Sequence, residues 1–103
     1  MRERAVRLLV EARNDLRDGK QFYDGIQQGI GRYFWDSLLA DIESLQHLAG
    51  VHARQYGYFR MLARHFPYAI YYETQAQHVT VMAILPVRRD PKWVTGQLAP
   101  RQP

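Results

Sequence analysis

Four arginines in the second half of the chain have the right chemistry to bind an anionic group: Arg60, Arg64, Arg88 and Arg89. A guanidinium group carries five N–H donors and stays charged at any physiological pH. It can neutralise a carboxylate or a phosphate, or the charge that develops on a phosphate during RNA cleavage. We expect the four side chains to line one basic concave face, although alternation along a strand can also place them on different sides.

The run from Arg88 to Pro91 also has a purely structural interpretation. Asp90 followed by Pro91 is typical of the start of a short helix, with Asp90 as the N-cap and Pro91 at the first helical position. Arg88 and Arg89 can solvate the end of a strand, and an exposed Arg88–Asp90 ion pair contributes little stability. We expect Trp93 to pack the C-terminal tail onto the rest of the molecule.

Acid–base chemistry needs groups that exchange protons near neutral pH, and arginine rarely gives up its proton. The candidate proton carriers beside the arginines are His52, His65, Tyr58, Tyr68 and Tyr71. The tyrosines could stack on bases, but tyrosines at strand spacing more often pack sheet faces. The four histidines show no metal-ligand spacing and cysteine is absent, so the sequence predicts neither a metal nor a cofactor.

The positive charge is concentrated in one half of the chain. Residues 1–50 contain seven basic and eight acidic residues, whereas residues 51–103 contain seven basic and two acidic ones. A basic half suggests an anionic partner, either nucleic acid or an acidic protein segment. The alternative is a basic surface that only aids solubility. The sequence shows no signal peptide and no apolar run long enough to span a bilayer, so we expect a cytoplasmic protein that does not enter a membrane.

Hydrophobic periodicity predicts one domain over residues 1–103, in the order β-α-α-β-β-β. The expected elements are a strand over 4–10, helices over 11–27 and 30–49, strands over 56–63, 66–73 and 78–85, and a tail over 90–103. This order predicts an α+β fold in which the last three strands form an antiparallel meander and the helical hairpin packs on one sheet face. Only the tail is left to cover the opposite face.

Alternation in the last strand predicts Val79, Val81, Ala83 and Leu85 on one face, with Met82 and Ile84 on the other. On the second helix, Leu38, Leu39 and Ile42 could line a groove for a partner, but the helical spacing favours a core position for at least two of them.

The strand "RHFPYAIYY" (64–72) followed by "VMAILPVRRDPKW" (81–93), within this order of elements, resembles the RelE/ParE superfamily of bacterial toxins. The resemblance extends from Val6 to Leu98, and the RRDP ending and FPY strand are closer to the ParE-like or plasmid-stabilisation group. It implies the toxin of a type II toxin–antitoxin pair, a growth inhibitor neutralised by a cognate antitoxin. ParE-like members poison DNA gyrase, and RelE-like members cut mRNA on the ribosome.

The resemblance places target or antitoxin binding at Arg60, Arg64, Tyr68, Arg88, Arg89, Asp90 and Trp93. If the chain were a RelE-like endoribonuclease, Arg60, Arg64 and Arg88 would be its catalytic residues. Two departures bear on that alternative. Ala69 follows Tyr68 where relatives commonly carry a basic residue, and Pro86 stands where many have a histidine. A third alternative is a member of the same fold that only binds a partner.

Overall fold

The computed structural model describes residues 3–103 and confirms the α+β architecture. Its elements are β1 (Ala5–Leu8), α1 (Val10–Ile26), α2 (Ile30–Glu43), α3 (Leu45–Leu48), β2 (Arg54–Gln55), β3 (Tyr58–Leu62), β4 (Tyr68–Thr74), β5 (His78–Pro86) and α4 (Pro91–Leu98). The strands form one sheet in the order β1-β5-β4-β3-β2. β1 runs parallel to β5, and the other neighbours are antiparallel. No helix within residues 3–103 has the length and apolarity needed to cross a bilayer.

The helical hairpin turns at Gly29, whose φ of 97° is a conformation that glycine adopts without strain. The Asp24 carboxylate then accepts the N–H of Gly31 at 2.8 Å and so satisfies one of the free donors at the start of α2. The expected long second helix is interrupted at Ser44, whose hydroxyl donates to the Asp41 carbonyl at 2.6 Å. Gly50, with φ 98°, ends this region as the sequence predicted.

One face of the sheet packs against the helical hairpin. The core between them is built on Leu16 from α1 and on Phe34, Leu38 and Ile42 from α2, all nearly inaccessible to solvent. Leu39 is half-buried and packs at the margin of this core. The core interpretation of the second helix is therefore confirmed, and these leucines do not form an open groove.

The strict alternation predicted for β5 is wrong after Val81. Tyr71 pairs with Ala83 but Tyr72 pairs with Val81, so Met82 is an extra residue that forms a β-bulge. The bulge reverses the order of the faces. Val79, Val81 and Ile84 face the helical hairpin, whereas Met82, Ala83 and Leu85 face the opposite side.

The C-terminal tail covers part of that opposite face. It forms α4, whose Val94 and Leu98 are buried against the sheet. Asp90 accepts the Trp93 N–H at 2.8 Å and Pro91 takes the first helical position, which confirms the capping interpretation. The open basic face expected from the sequence is thus partly closed by the tail.

A buried ion pair between Arg101 and Asp15 holds the end of the C-terminal tail against α1. Arg101 donates to both carboxylate oxygens of Asp15 on α1, at 2.6 and 3.2 Å, and also to the Met82 carbonyl at 3.1 Å. Asp15 in turn accepts the Ile84 N–H at 3.0 Å. Because β1 reaches no further along β5 than Val81, this pair satisfies backbone groups that no strand reaches. Burial raises the pKa of Asp15, and the bonds from Arg101 oppose that rise.

The close approach of α1 and α2 depends on Gly19. A Cβ atom at this position would lie 2.4 Å from Cζ of Phe34, a ring that is itself buried in the core. We expect Gly19→Ala to lower the free energy of unfolding by about 1–3 kcal/mol, the usual cost of overpacking. Gly25→Ala is the matched control on the same helix. Its Cβ meets nothing within 4 Å, and alanine should add roughly 0.5–1 kcal/mol there. Urea denaturation measures both, and equal effects would contradict the packing argument.

Candidate functional site

A small cleft opens where β4 begins and β5 ends, beside α1. Its volume is about 360 Å³, and its lining residues are Phe22, Tyr23, Pro67, Tyr68, Pro86, Arg88 and Arg89. We call it the arginine cleft. It brings together three residues that the sequence singled out for binding: Tyr68, Arg88 and Arg89.

The two strands position the cleft. Tyr68 pairs with Pro86 at the end of the β4–β5 ladder, and the Val87 N–H then donates to the Pro67 carbonyl at 3.0 Å. These contacts fix the point at which the chain leaves the sheet. Arg88 and Arg89 follow directly, so their exposed side chains lie beside the Tyr68 ring.

The two tyrosine hydroxyls of the cleft keep their protons at neutral pH. Tyr68 is 7% exposed, and burial raises its pKa to about 12. Burial also raises the pKa of Tyr23, against the opposing charge of Arg88. Both hydroxyls can therefore donate hydrogen bonds to an anion, but neither can act as a base.

Arg89 is oriented by Trp93 on α4. Its guanidinium carbon lies 4.0 Å from the centre of the indole ring, a cation–π contact worth about 0.5–1 kcal/mol at an exposed site. Trp93 also lines a neighbouring cavity of about 220 Å³, which shares Phe22, Tyr68 and Pro86 with the arginine cleft. Asp90 uses its carboxylate to cap α4, so its observed contact is structural.

The expectation of one face lined by all four arginines is wrong for Arg60 and Arg64. Arg60 lies on the sheet face that carries α4, where its Nε donates to the Tyr71 hydroxyl at 3.2 Å. Arg64 follows the end of β3 and lines a separate groove beside α2. Neither residue lines the arginine cleft.

None of the four histidines lines the arginine cleft. His52 and His65 line the groove beside α2, His47 lies 3.5 Å from Glu3, and His78 begins β5 at the opposite end of the strand. Of the tyrosines considered as proton carriers, Tyr58 and Tyr71 pack on the α4 side of the sheet. Within residues 3–103, no cluster of three or more His, Asp or Glu side chains could hold a metal ion. The charged groups that line the cleft are thus the two guanidinium groups of Arg88 and Arg89, and a guanidinium group can donate hydrogen bonds to an anion.

The sequence did not predict that Phe22 and Tyr23 of α1 line one side of the cleft. Phe22 is 60% exposed although it is a large aromatic residue, and it contacts Tyr23 edge-on at 5.1 Å between ring centres. The available signal was an aromatic pair near the C-terminal end of an otherwise polar helix.

A mixed sheet with a helical hairpin on one face, a terminal helix on the other and a basic cleft at one end defines a small α+β domain. The fold is shared with a chain of a solved structure described as the chromosomal ParDE TA system from P. aeruginosa, with a TM-score of 0.75. The two chains are 12% identical, and the match covers 84% of this chain and 98% of the other. No protein-family model matches the sequence, and no curated protein does either.

Proposed function

We propose that this chain is the toxin of a type II toxin–antitoxin pair, ParE-like in action, that inhibits growth by binding a protein target and is neutralised by a cognate antitoxin. The shared fold with a chain of a ParDE toxin–antitoxin system supports the class of protein. The observation that carries the mode of action is the arginine cleft, which combines two exposed guanidinium groups with aromatic walls.

The chemistry of the cleft favours binding over RNA cleavage. Cleavage by the RNA 2′-hydroxyl needs a base and an acid close to the cations that stabilise the phosphate. Burial raises the pKa of both tyrosines in the cleft, that of Tyr68 to about 12, and the histidines lie elsewhere. An acidic patch on a protein target, for which DNA gyrase is the first candidate, matches the two arginines and needs no proton transfer.

Expression in cells that lack the antitoxin tests this function. We expect growth to stop, with gyrase trapped on broken DNA and mRNA left intact within ribosome-occupied codons. Cleaved mRNA with untrapped gyrase would identify a ribosome-dependent endoribonuclease instead. Normal growth at confirmed expression would leave only a partner-binding role.

A further inference from the structure

A groove between α2 and β3 has a volume of about 640 Å³ and is larger than the arginine cleft. We call it the α2–β3 groove. Tyr33, Ser37 and Leu48 line its helical side, and Met61, Leu62 and Arg64 line its strand side. It lies apart from the arginine cleft, with which it shares no lining residue.

The strand side of this groove is an unpaired sheet edge. β2 pairs with β3 only at Tyr58 and Phe59, and the Arg60 N–H then donates to the Ala53 carbonyl at 2.9 Å. Backbone groups of alternate residues point to the same side of a strand, so the N–H and C=O of Leu62 point to this outer edge. Neither group has a hydrogen-bond partner among residues 3–103.

The vacant edge has a defined length. It begins beyond the bond from the Arg60 N–H to the Ala53 carbonyl and stops at Arg64, whose N–H donates to the Asp41 carboxylate at 3.1 Å. On the helical side, the groove runs from Tyr33 to Ser44, about 16 Å at 1.5 Å rise per residue. A strand of roughly five residues has the same length.

Polar and apolar groups along the groove fit a peptide strand. Tyr33 and Leu48 are 54% and 45% exposed, which provides apolar contact on the helical side. Ser37 is 8% exposed, and its Oγ is buried without a hydrogen-bond partner in the described chain. A buried hydroxyl of this kind costs free energy until a partner satisfies it.

His52 lies at one end of the groove. The Tyr72 hydroxyl accepts the Gly50 N–H at 3.0 Å and is hydrogen-bonded to Nδ1 of His52 at 2.5 Å, so the imidazole ring is held in place. Burial lowers the pKa of His52, which favours its neutral form.

Arg64 supplies a positive charge at the other side of the groove, because its exposed side chain forms no ion pair within residues 3–103. Two carboxylates also line the groove, and both are already engaged: Asp36 pairs with Arg32 at 3.3 Å, and Asp41 accepts the Arg64 N–H at 3.1 Å.

We propose that an extended segment of the partner antitoxin adds to the sheet as a strand at the outer edge of β3, with apolar side chains against α2 and a carboxylate opposite Arg64. This inference rests on the proposed function for the identity of the partner. It makes the β3 edge the neutralising contact and leaves the arginine cleft to the target. Strand addition of this kind draws affinity from main-chain hydrogen bonds and selectivity from side-chain pockets.

Leu62→Pro is the decisive variant. Proline removes the outward N–H and keeps the β3–β4 ladder, whose bonds are made by the neighbouring residues, such as the Ala63 N–H to Tyr68. Leu62→Ala is the matched control, because it removes the same side chain but keeps the N–H. The probe is the protein encoded beside this chain's gene, purified and titrated against each full-length variant by calorimetry. We expect Leu62→Pro to weaken binding tenfold or more and Leu62→Ala by less than about threefold.

Hydrogen exchange provides a readout that does not depend on the fold of the proline variant. In the wild-type protein, the Leu62 amide should exchange freely alone and become protected in the complex. An unprotected Leu62 amide in the complex, or equal affinities of the proline and alanine variants, would overturn the proposed strand addition. Toxicity separates this outcome from a failure of the proposed function: Leu62→Pro should still arrest growth, and co-expressed antitoxin should no longer rescue it.

Discussion

Replacing both Arg88 and Arg89 with alanine is expected to abolish growth arrest while the domain stays folded. Each guanidinium lines the arginine cleft, and a hydrogen bond to a charged group is worth about 1.5–3 kcal/mol. Loss of each arginine should therefore weaken target binding at least tenfold, and loss of both should do so a hundredfold or more. Both residues are exposed, so the free energy of unfolding should change by less than about 1 kcal/mol, mostly from the lost Arg89–Trp93 contact. Plating efficiency under induction measures toxicity, and urea denaturation measures stability.

The matched control for this pair is Arg13→Ala with Arg17→Ala. Both residues are exposed on α1 and outside the arginine cleft, and the change removes the same net charge. Toxicity should persist in this control. If both double variants lost toxicity equally, overall charge and not the cleft would be responsible. Unfolding of the Arg88/Arg89 variant would assign those arginines a structural role.

Arg101→Met should lower the free energy of unfolding by about 3–5 kcal/mol at pH 7. Asp15 and Arg101 are 11% and 7% exposed, and removal of one partner from a buried pair leaves an uncompensated charge. Without Arg101, the desolvation that already raises the pKa of Asp15 is opposed only by the hydrogen bond from the Ile84 N–H, so the pKa should rise further. The folded variant then binds a proton more tightly than the unfolded chain, so its stability should increase as pH falls from 7 towards 5. Urea denaturation of the variant and of the wild type at pH 7 and pH 5 measures whether the free energy of unfolding of the variant increases as the pH falls.

The double variant Asp15→Asn with Arg101→Met separates charge from packing. Asparagine keeps an oxygen to accept the Ile84 N–H but carries no charge, so more than half of the lost stability should return. Its stability should also lose the pH dependence described for the single variant. A double variant as unstable as Arg101→Met would show that lost packing of the long arginine side chain dominates.

The order of the main helices and strands could be predicted from the sequence, because apolar residues recur at helical spacing in the helices and alternate in the strands. The spacing of Leu16, Phe34, Leu38 and Ile42 marks helical faces, and Gly29 and Gly50 stand where the chain adopts a positive φ. The β-bulge at Met82 was not readable, because no local residue type requires an extra residue there. The parallel pairing of β1 with β5 was equally hidden, since it joins Ala5 to His78 across most of the chain.

Only part of the candidate site could be predicted, because local patterns in the sequence do not show long-range contacts. Tyr68, Arg88 and Arg89 are neighbours through the β4–β5 register, which a hairpin pattern predicts. Arg60 and Arg64 were grouped with these three residues by charge alone. In the structure, Arg60 lies on the α4 side of the sheet and Arg64 lines the α2–β3 groove. Phe22, Asp15 and Arg101 reach their places through tertiary packing, which leaves no period in the sequence.

The pairing of β1 with β5 bears on how the protein matures during translation. β1 leaves the ribosome before its neighbour β5 (His78–Pro86) has been made, and the ion pair between Asp15 and Arg101 needs still later residues. Contacts of such long sequence separation are slow to form. A nascent chain of this protein therefore stays incompletely assembled until synthesis has passed residue 101, which leaves a time window in which the sheet edges are open to any other polypeptide made nearby.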